Sequence, residues 1–303
     1  MKPFIFFSIF FWPLLIQTHV PLKNILKYEI PHPDEISDLA FHPNKNTLYA
    51  ARFLHEEIDC FGLTERKLEK IGSIEGVRTI AAGPTGDLAA PDFSAAVNLW
   101  THATGQEKRL PHSEWVIAVE FSPTDSLLAS ASLDKTVRLF STTQRPSLLQ
   151  RLTYYSQVRS INFSPTGKSL ASASDAGVQL LDCKTLQKTT VSTEKLATTV
   201  NFSHDGHLLA TAGKSGVQIL DLRTPNQAYK IPHKSSVLEF SPTGKHLATA
   251  GKGKRVLVWD NRKTKKPLRK LPHQATVTTV KFSPTGKHLA TGSGTNVHLW
   301  NNN

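Results

Sequence analysis

The chain is 303 residues long, with 39% hydrophobic and 20% charged residues and a mean hydropathy of −0.26. That composition belongs to a soluble globular protein and excludes a disordered chain or a membrane protein of many spans. Two cysteines, Cys60 and Cys183, exclude a disulfide scaffold and a multi-cysteine zinc site. The formal charge of +12 is carried wholly by residues 201–303, where 16 Lys or Arg stand against 4 Asp or Glu; residues 1–200 hold 20 of each.

The first element is an apolar run. Lys2 precedes FIFFSIFFWPLLI, Phe4 to Ile16, which has the length of a signal-peptide core and is shorter than the roughly 20 residues that cross a bilayer. The following QTHVPLKN contains no Ala-x-Ala cleavage site. Residues 1–21 therefore read as a signal-peptide-like or anchor segment. An exported or membrane-tethered protein is expected, with a cytoplasmic one as the alternative.

Residues 24–303 are an internal repeat. Phe-Ser-Pro-Thr-Gly-Lys occurs at Phe163–Lys168, Phe240–Lys245 and Phe282–Lys287, with weaker copies starting at Phe41, Ala82, Phe121 and Phe202. The seven anchors are spaced by 41, 39, 42, 39, 38 and 42 residues, a period that signals stacked repeats such as a propeller or solenoid. Each copy reads as four short strands. The first alternates up to the anchor Phe, and Pro-Thr-Gly then turns the chain, Pro presetting φ and Gly permitting a positive one. A second strand rich in small residues follows, then an alternating third such as Val256–Trp259. The fourth ends in Ile-Pro-His or Leu-Pro-His, as at Leu110–His112 and Leu271–His273. No segment carries a sustained helical period, so helices are expected to be almost absent.

These residues resemble the WD40-repeat β-propeller family over about residues 24–300. The signature dipeptide is intact at Trp259-Asp260 and degraded elsewhere, for example to Leu181-Asp182 and Trp300-Asn301; Pro-His replaces the family's Gly-His. The resemblance implies an all-β, seven-bladed propeller. It also implies a hydrogen-bonded set of His, Ser or Thr, Asp and Trp inside a blade, carried here by His112, Ser130 and Asp134 in repeat three and by His273, Thr291 and Trp300 in the last repeat. The last repeat stops at Trp300 and lacks a fourth strand, whereas Asn24–Ile30 supplies a spare one. The expectation is a propeller closed by pairing this N-terminal strand with the last blade, which would remove an open sheet edge.

No cofactor or metal is expected. Gly167-Lys168-Ser169 and Gly213-Lys214-Ser215 lack the earlier glycine and the following helix of a phosphate-binding loop, and no cysteine or carboxylate cluster joins the recurring His246 and His288. Asn162-Phe163-Ser164 and Asn201-Phe202-Ser203 fit the glycosylation pattern but fall on inner strands. The first-strand starts, Glu35, Gly76, Trp115, Gln157, Leu196, Lys234 and Thr276, supply no convergent catalytic set.

The leading reading is a non-catalytic interaction scaffold that binds a protein or peptide on one propeller face. By the family's layout that face carries Trp115, Tyr154, Tyr155, Lys252, Lys254 and Arg255, residue types that dominate interface energies. The opposite face carries Lys245, Arg262, Lys263, Lys265, Lys266 and Lys287. It supports a second reading, binding of a polyanion or an anionic membrane surface; a solvated lysine-rich face explains it equally. A propeller enzyme with no recognisable site is a lesser alternative. No sequence-specific nucleic-acid partner is expected, and the chain reads as a monomer or as part of a larger complex.

Overall fold

The computed structural model describes residues 26–31, 34–52, 57–63, 68–75, 79–102, 105–143, 145–192, 196–224, 228–251, 253–261 and 266–302. Among these residues every regular element is a strand. The apolar run Phe4–Ile16, the rest of segment 1–21, and Lys252, Arg262, Lys263 and Lys265 lie outside them.

Twenty-eight strands form seven antiparallel four-stranded sheets. Blade 1 runs from Ile36 to Glu75, blade 2 from Ala81 to Pro111, blade 3 from Val116 to Thr153 and blade 4 from Val158 to Ser192. Blade 5 runs from Thr199 to Ile231, blade 6 from Val237 to Pro272 and blade 7 from Val277 to Asn301. In each, the anchor Phe or its substitute ends the innermost strand, and a turn, Pro-Thr-Gly in blades 2, 4, 6 and 7, leads to the second. Gly167 illustrates why that turn needs glycine: its φ is +69°, a region that β-carbon sterics close to most residues.

Blade 7 takes its fourth strand from the other end of the chain. Leu26–Pro31 pairs antiparallel with Asn296–Asn301, placing Leu26 opposite Trp300 and Pro31 opposite Asn296. The expectation that this pairing closes the propeller is corrected, because no sheet is closed by hydrogen bonds. The seven sheets remain separate four-stranded units, and the added strand completes one of them. The physical reason is the orientation of the blades. Neighbouring blades meet face to face, so no strand ladder can run round the ring. The seam between blades 7 and 1 is side-chain packing, Ile36, Leu39 and Leu48 against Ala290, Val297 and Leu299, with isolated bonds such as Ile36 N–H to the Gly294 carbonyl at 2.8 Å.

The same packing repeats at other seams. Phe240 of blade 6 is buried with Leu247 and Trp259 against Ile219 and Ile231 of blade 5. Phe163 of blade 4 lies against Leu139 and Leu152 of blade 3. The small residues of the second strands, such as Ala129, Ala131, Ala171 and Ala173, are fully buried and let adjacent sheets approach. Each buried large apolar side chain contributes about 1.5–3 kcal/mol, so the periodic Phe and aliphatic positions carry the ring without disulfides. Cys60 in blade 1 and Cys183 beside blade 4 are not bonded to each other.

Candidate functional site

Backbone hydrogen bonds define the two faces. On one, the loop entering a blade meets a second-to-third turn: Leu133 N–H donates to the Trp115 carbonyl, and His273 N–H to that of Lys254. On the other, the Thr-Gly-Lys turns meet the residues that follow third strands, as where Asn261 N–H donates to the Lys245 carbonyl and Asn302 N–H to that of Lys287.

The first face carries Trp115, 44% exposed, and Tyr155, 98% exposed, on the loops entering blades 3 and 4. Lys254 and Arg255 are exposed on blade 6. Tyr154 is not on this surface. It is 7% exposed, with Lys188 Nζ 4.4 Å from its ring centroid. The reason is its place in the repeat: Leu152-Thr153-Tyr154 stands where Leu110-Pro111-His112 stands one blade earlier. Tyr154 N–H donates to the Lys135 carbonyl as His112 N–H donates to that of Ala95. Tyr154 is thus blade 4's substitute for the network histidine, a match that aligning the fourth strands reveals.

Two exposed apolar residues of this face carried no weight in the sequence reading. Leu196, 45% exposed, occupies the position of Trp115 two blades on, and Phe93, 39% exposed, tops a turn of blade 2. On the opposite face Lys245, Lys266 and Lys287 are exposed, as is Lys168. A cleft of about 540 Å³ opens there between blades 2 and 3, between Pro84, Phe121 and Pro146.

Hydrogen-bonded polar sets lie inside blades 3, 6 and 7. In blade 3 His112 Nε2 lies 2.6 Å from Ser130 Oγ, and its Nδ1 lies 3.4 Å from Asp134 Oδ2. Asp134 also accepts from Thr136 and Arg138, and Phe140 occupies the Trp position. Burial, joined by the nearby Arg138, lowers the His112 pKa to about 4 against the pull of Asp134. For Asp134 burial opposes ionisation, but bonds from Thr136 and Ser113 prevail and hold it at about 2. In blade 7 Trp300 Nε1–H donates to Thr291 Oγ1 at 3.0 Å, and His273 Nε2 lies 2.7 Å from the same oxygen. His273 Nδ1 lies 3.0 Å from the Leu271 carbonyl, which can only accept, so Nδ1 carries the proton and the Thr291 hydroxyl donates to Nε2. Blade 6 repeats the set with His233, Thr249 and Trp259.

The central channel, about 270 Å³, holds the charged groups that the first-strand starts did not reveal. They come from another register, the residue before each anchor: Ala40, Ala81, Glu120, Asn162, Asn201, Glu239 and Lys281. Lys281 Nζ lies 4.0 Å from Glu239 Oε2. Asn162 Nδ2 donates to Glu120 Oε1 at 3.0 Å. Asp38, two residues before Ala40, accepts from Thr79 of blade 2 and Thr279 of blade 7. Burial raises Glu120 and Glu239 to about 7 in spite of Lys281. For Lys281 burial disfavours the charge, but Glu239, Asp38 and Glu120 outweigh it and raise its pKa. Asn162 and Asn201 share the repeat register of Glu120 and Lys281, and their amides are hydrogen-bonded to neighbouring blades. Among the described residues no three His, Cys, Asp or Glu stand close enough to hold a metal ion.

Comparison with known families matches residues 105–141, 147–182, 226–260 and 265–301 to the WD domain, G-beta repeat. These spans end on the third strands of blades 3, 4, 6 and 7. The chain is a seven-bladed WD40 β-propeller. No curated protein matches the chain. The WD40 architecture is that of an interaction scaffold. In this WD40 propeller the carboxylates and the lysine of the channel bond to one another and across blade seams.

Proposed function

We propose that this WD40 propeller binds a protein or peptide through the face that carries Trp115. One observation supports the reading most: Trp115 and Tyr155 are held exposed on loops entering adjacent blades, while the aromatic residues of the repeat pattern are buried. Exposed Trp and Tyr contribute disproportionately to interface energy, and the rigid blades beneath hold them in place. The test is capture from the native compartment by the wild-type protein and by a Trp115→Ala, Tyr155→Ala double variant. A partner retained by the first and lost by the second supports the reading, and equal recovery by both sinks it.

A second reading is binding of an anionic surface by the opposite face. Exposed Lys168, Lys245, Lys266 and Lys287 support it. So does the register of the first strand, which puts Leu26 beside Trp300 at that end of blade 7, so that a tether through residues 1–21 would hold this face toward a bilayer. Each basic residue near an anionic leaflet contributes about 1 kcal/mol. Reversing Lys245, Lys266 and Lys287 to Glu should abolish low-salt binding to phosphatidylserine vesicles; unaltered binding removes these lysines from consideration.

A further inference from the structure

We infer that the partner segment is an extended peptide combining a large apolar side chain with a following cluster of carboxylates. It would lie along the channel mouth from blade 3 to blade 6. The inference rests on the Trp115-face reading above and adds the chemistry of the partner.

One repeat position, the sixth before each anchor, rings the mouth. Its described occupants are Glu35, Trp115, Gln157, Leu196, Lys234 and Thr276. Large apolar residues stand there on the loops entering blades 3 and 5, and Tyr155 stands on the loop between them. Three consecutive loops therefore present apolar surface at the rim, a continuity that scattered single residues would not show.

Charge changes sign next to this stretch. The described loop residues on this face from blade 5 onward include exposed Lys214, Lys234, Lys254 and Arg255, and no Asp or Glu is among them. The corresponding loops of blades 1 to 4 carry Asp34, Glu35, Asp92, Glu114, Asp134 and Asp175. Asp92 pairs with Arg109, Asp134 with Arg138 and Asp175 with Arg159, so the acidic half is largely satisfied internally. Among the described residues no such carboxylate serves the basic half of this face. A ligand with its apolar side chain over Trp115, Tyr155 and Leu196 and its carboxylates over Lys234, Lys254 and Arg255 meets complementary surface throughout. A basic ligand in the same place gains nothing from blades 5 and 6, and complementarity of this kind sets specificity and association rate.

The experiment is selection of a phage-displayed library of random peptides of about 12 residues, roughly 40 Å when extended. Wild-type protein is the bait, with counter-selection on the Trp115→Ala, Tyr155→Ala variant. Tyr155 is almost wholly exposed, so Tyr155→Ala alone is a second counter-bait that leaves the fold intact. The expected peptides are enriched in an aromatic or aliphatic residue together with Asp or Glu. Their affinity should fall about ten-fold or more in Lys234→Glu, Lys254→Glu protein, and fall further as salt rises from about 0.05 to about 0.5 M. Peptides that depend on Trp115 but show no acidic enrichment overturn this inference and leave the face as a peptide site. Recovery of no Trp115-dependent peptide overturns both, as does Trp115-dependent binding to phosphatidylserine vesicles alone.

Discussion

Asn201 of blade 5 accepts the backbone N–H of Phe240, the anchor of blade 6, on its side-chain oxygen at 2.8 Å. Asn162 accepts Phe202 N–H at 2.8 Å in the same way, and Glu239 accepts Phe282 N–H at 3.3 Å. One repeat position thus ties the inner strands of blades 4 to 7 in succession, in a ring whose sheets share no ladder.

Removing these ties should destabilise the propeller in a definite order. Asn201→Ala loses one bond at a seam, at a cost of about 1–2 kcal/mol. Asn162→Ala loses two, because its Nδ2 also holds Glu120, and should cost more. Urea unfolding measures both; equal stability of Asn162→Ala and wild type would show that these seam amides are not structural.

The channel carboxylates make stability fall as pH rises. Burial places Glu120 at about 7 in the folded protein, above its ordinary 4.5. The folded state therefore keeps a proton that the unfolded chain releases. The stability this confers is complete below about pH 4.5 and is lost as pH rises through 7. Glu120→Gln keeps an acceptor for Asn162 and should flatten unfolding free energy against pH between 5 and 8. An unchanged slope places the effect elsewhere.

Buried histidines act with the opposite sign. His298 is held near 4, mainly by burial, against an ordinary 6.5, so its contribution is complete above 6.5 and is lost as pH falls toward 4. Gln occupies the corresponding strand position in blades 4 and 5, as Gln179 and Gln218. His298→Gln should accordingly fold and shift the acid-unfolding midpoint downward. A midpoint that stays put assigns acid sensitivity to His112 and His273, whose pKa values burial also lowers to about 4.

Gly292 marks the tightest point of the seam between blades 7 and 1. A β-carbon there would stand 2.6 Å from Ile36 Cγ2 and 2.8 Å from Thr279 Cγ2. Blade 3 accommodates Ala131 at the same place. Gly292→Ala should cost about 1–3 kcal/mol by overpacking, whereas Gly292→Ala with Ile36→Val should recover part of it. Thermal melting of the two variants decides the matter.

Trp300→Phe removes the donor to Thr291 while keeping the aromatic volume, as Phe140 does naturally in blade 3. The expected loss is about 1 kcal/mol, with the circular-dichroism spectrum of the sheets retained. A much larger loss would show that the indole itself, stacked with His298, carries the blade.

The repeat period, the strand order within a blade and the periodic apolar core positions were determined by the sequence alone. Phe, Pro-Thr-Gly and the small-residue strand recur at a period of about 40 residues, and the alternating apolar pattern within each period is that of short strands. The pairing of Leu26–Pro31 with Asn296–Asn301 was legible for the same reason, since the last repeat is short by one strand. Tertiary structure decided what depends on contacts between blades. Separate sheets packed face to face replace a hydrogen-bonded closure, because blade faces rather than edges meet at each seam. Tyr154 turns inward because it takes the histidine position of its blade, while Tyr155 beside it turns out. The channel charges of Glu120, Glu239 and Lys281 are far apart in the chain and meet only when the ring brings one residue per blade to a common axis. Nothing local in the sequence encodes that convergence.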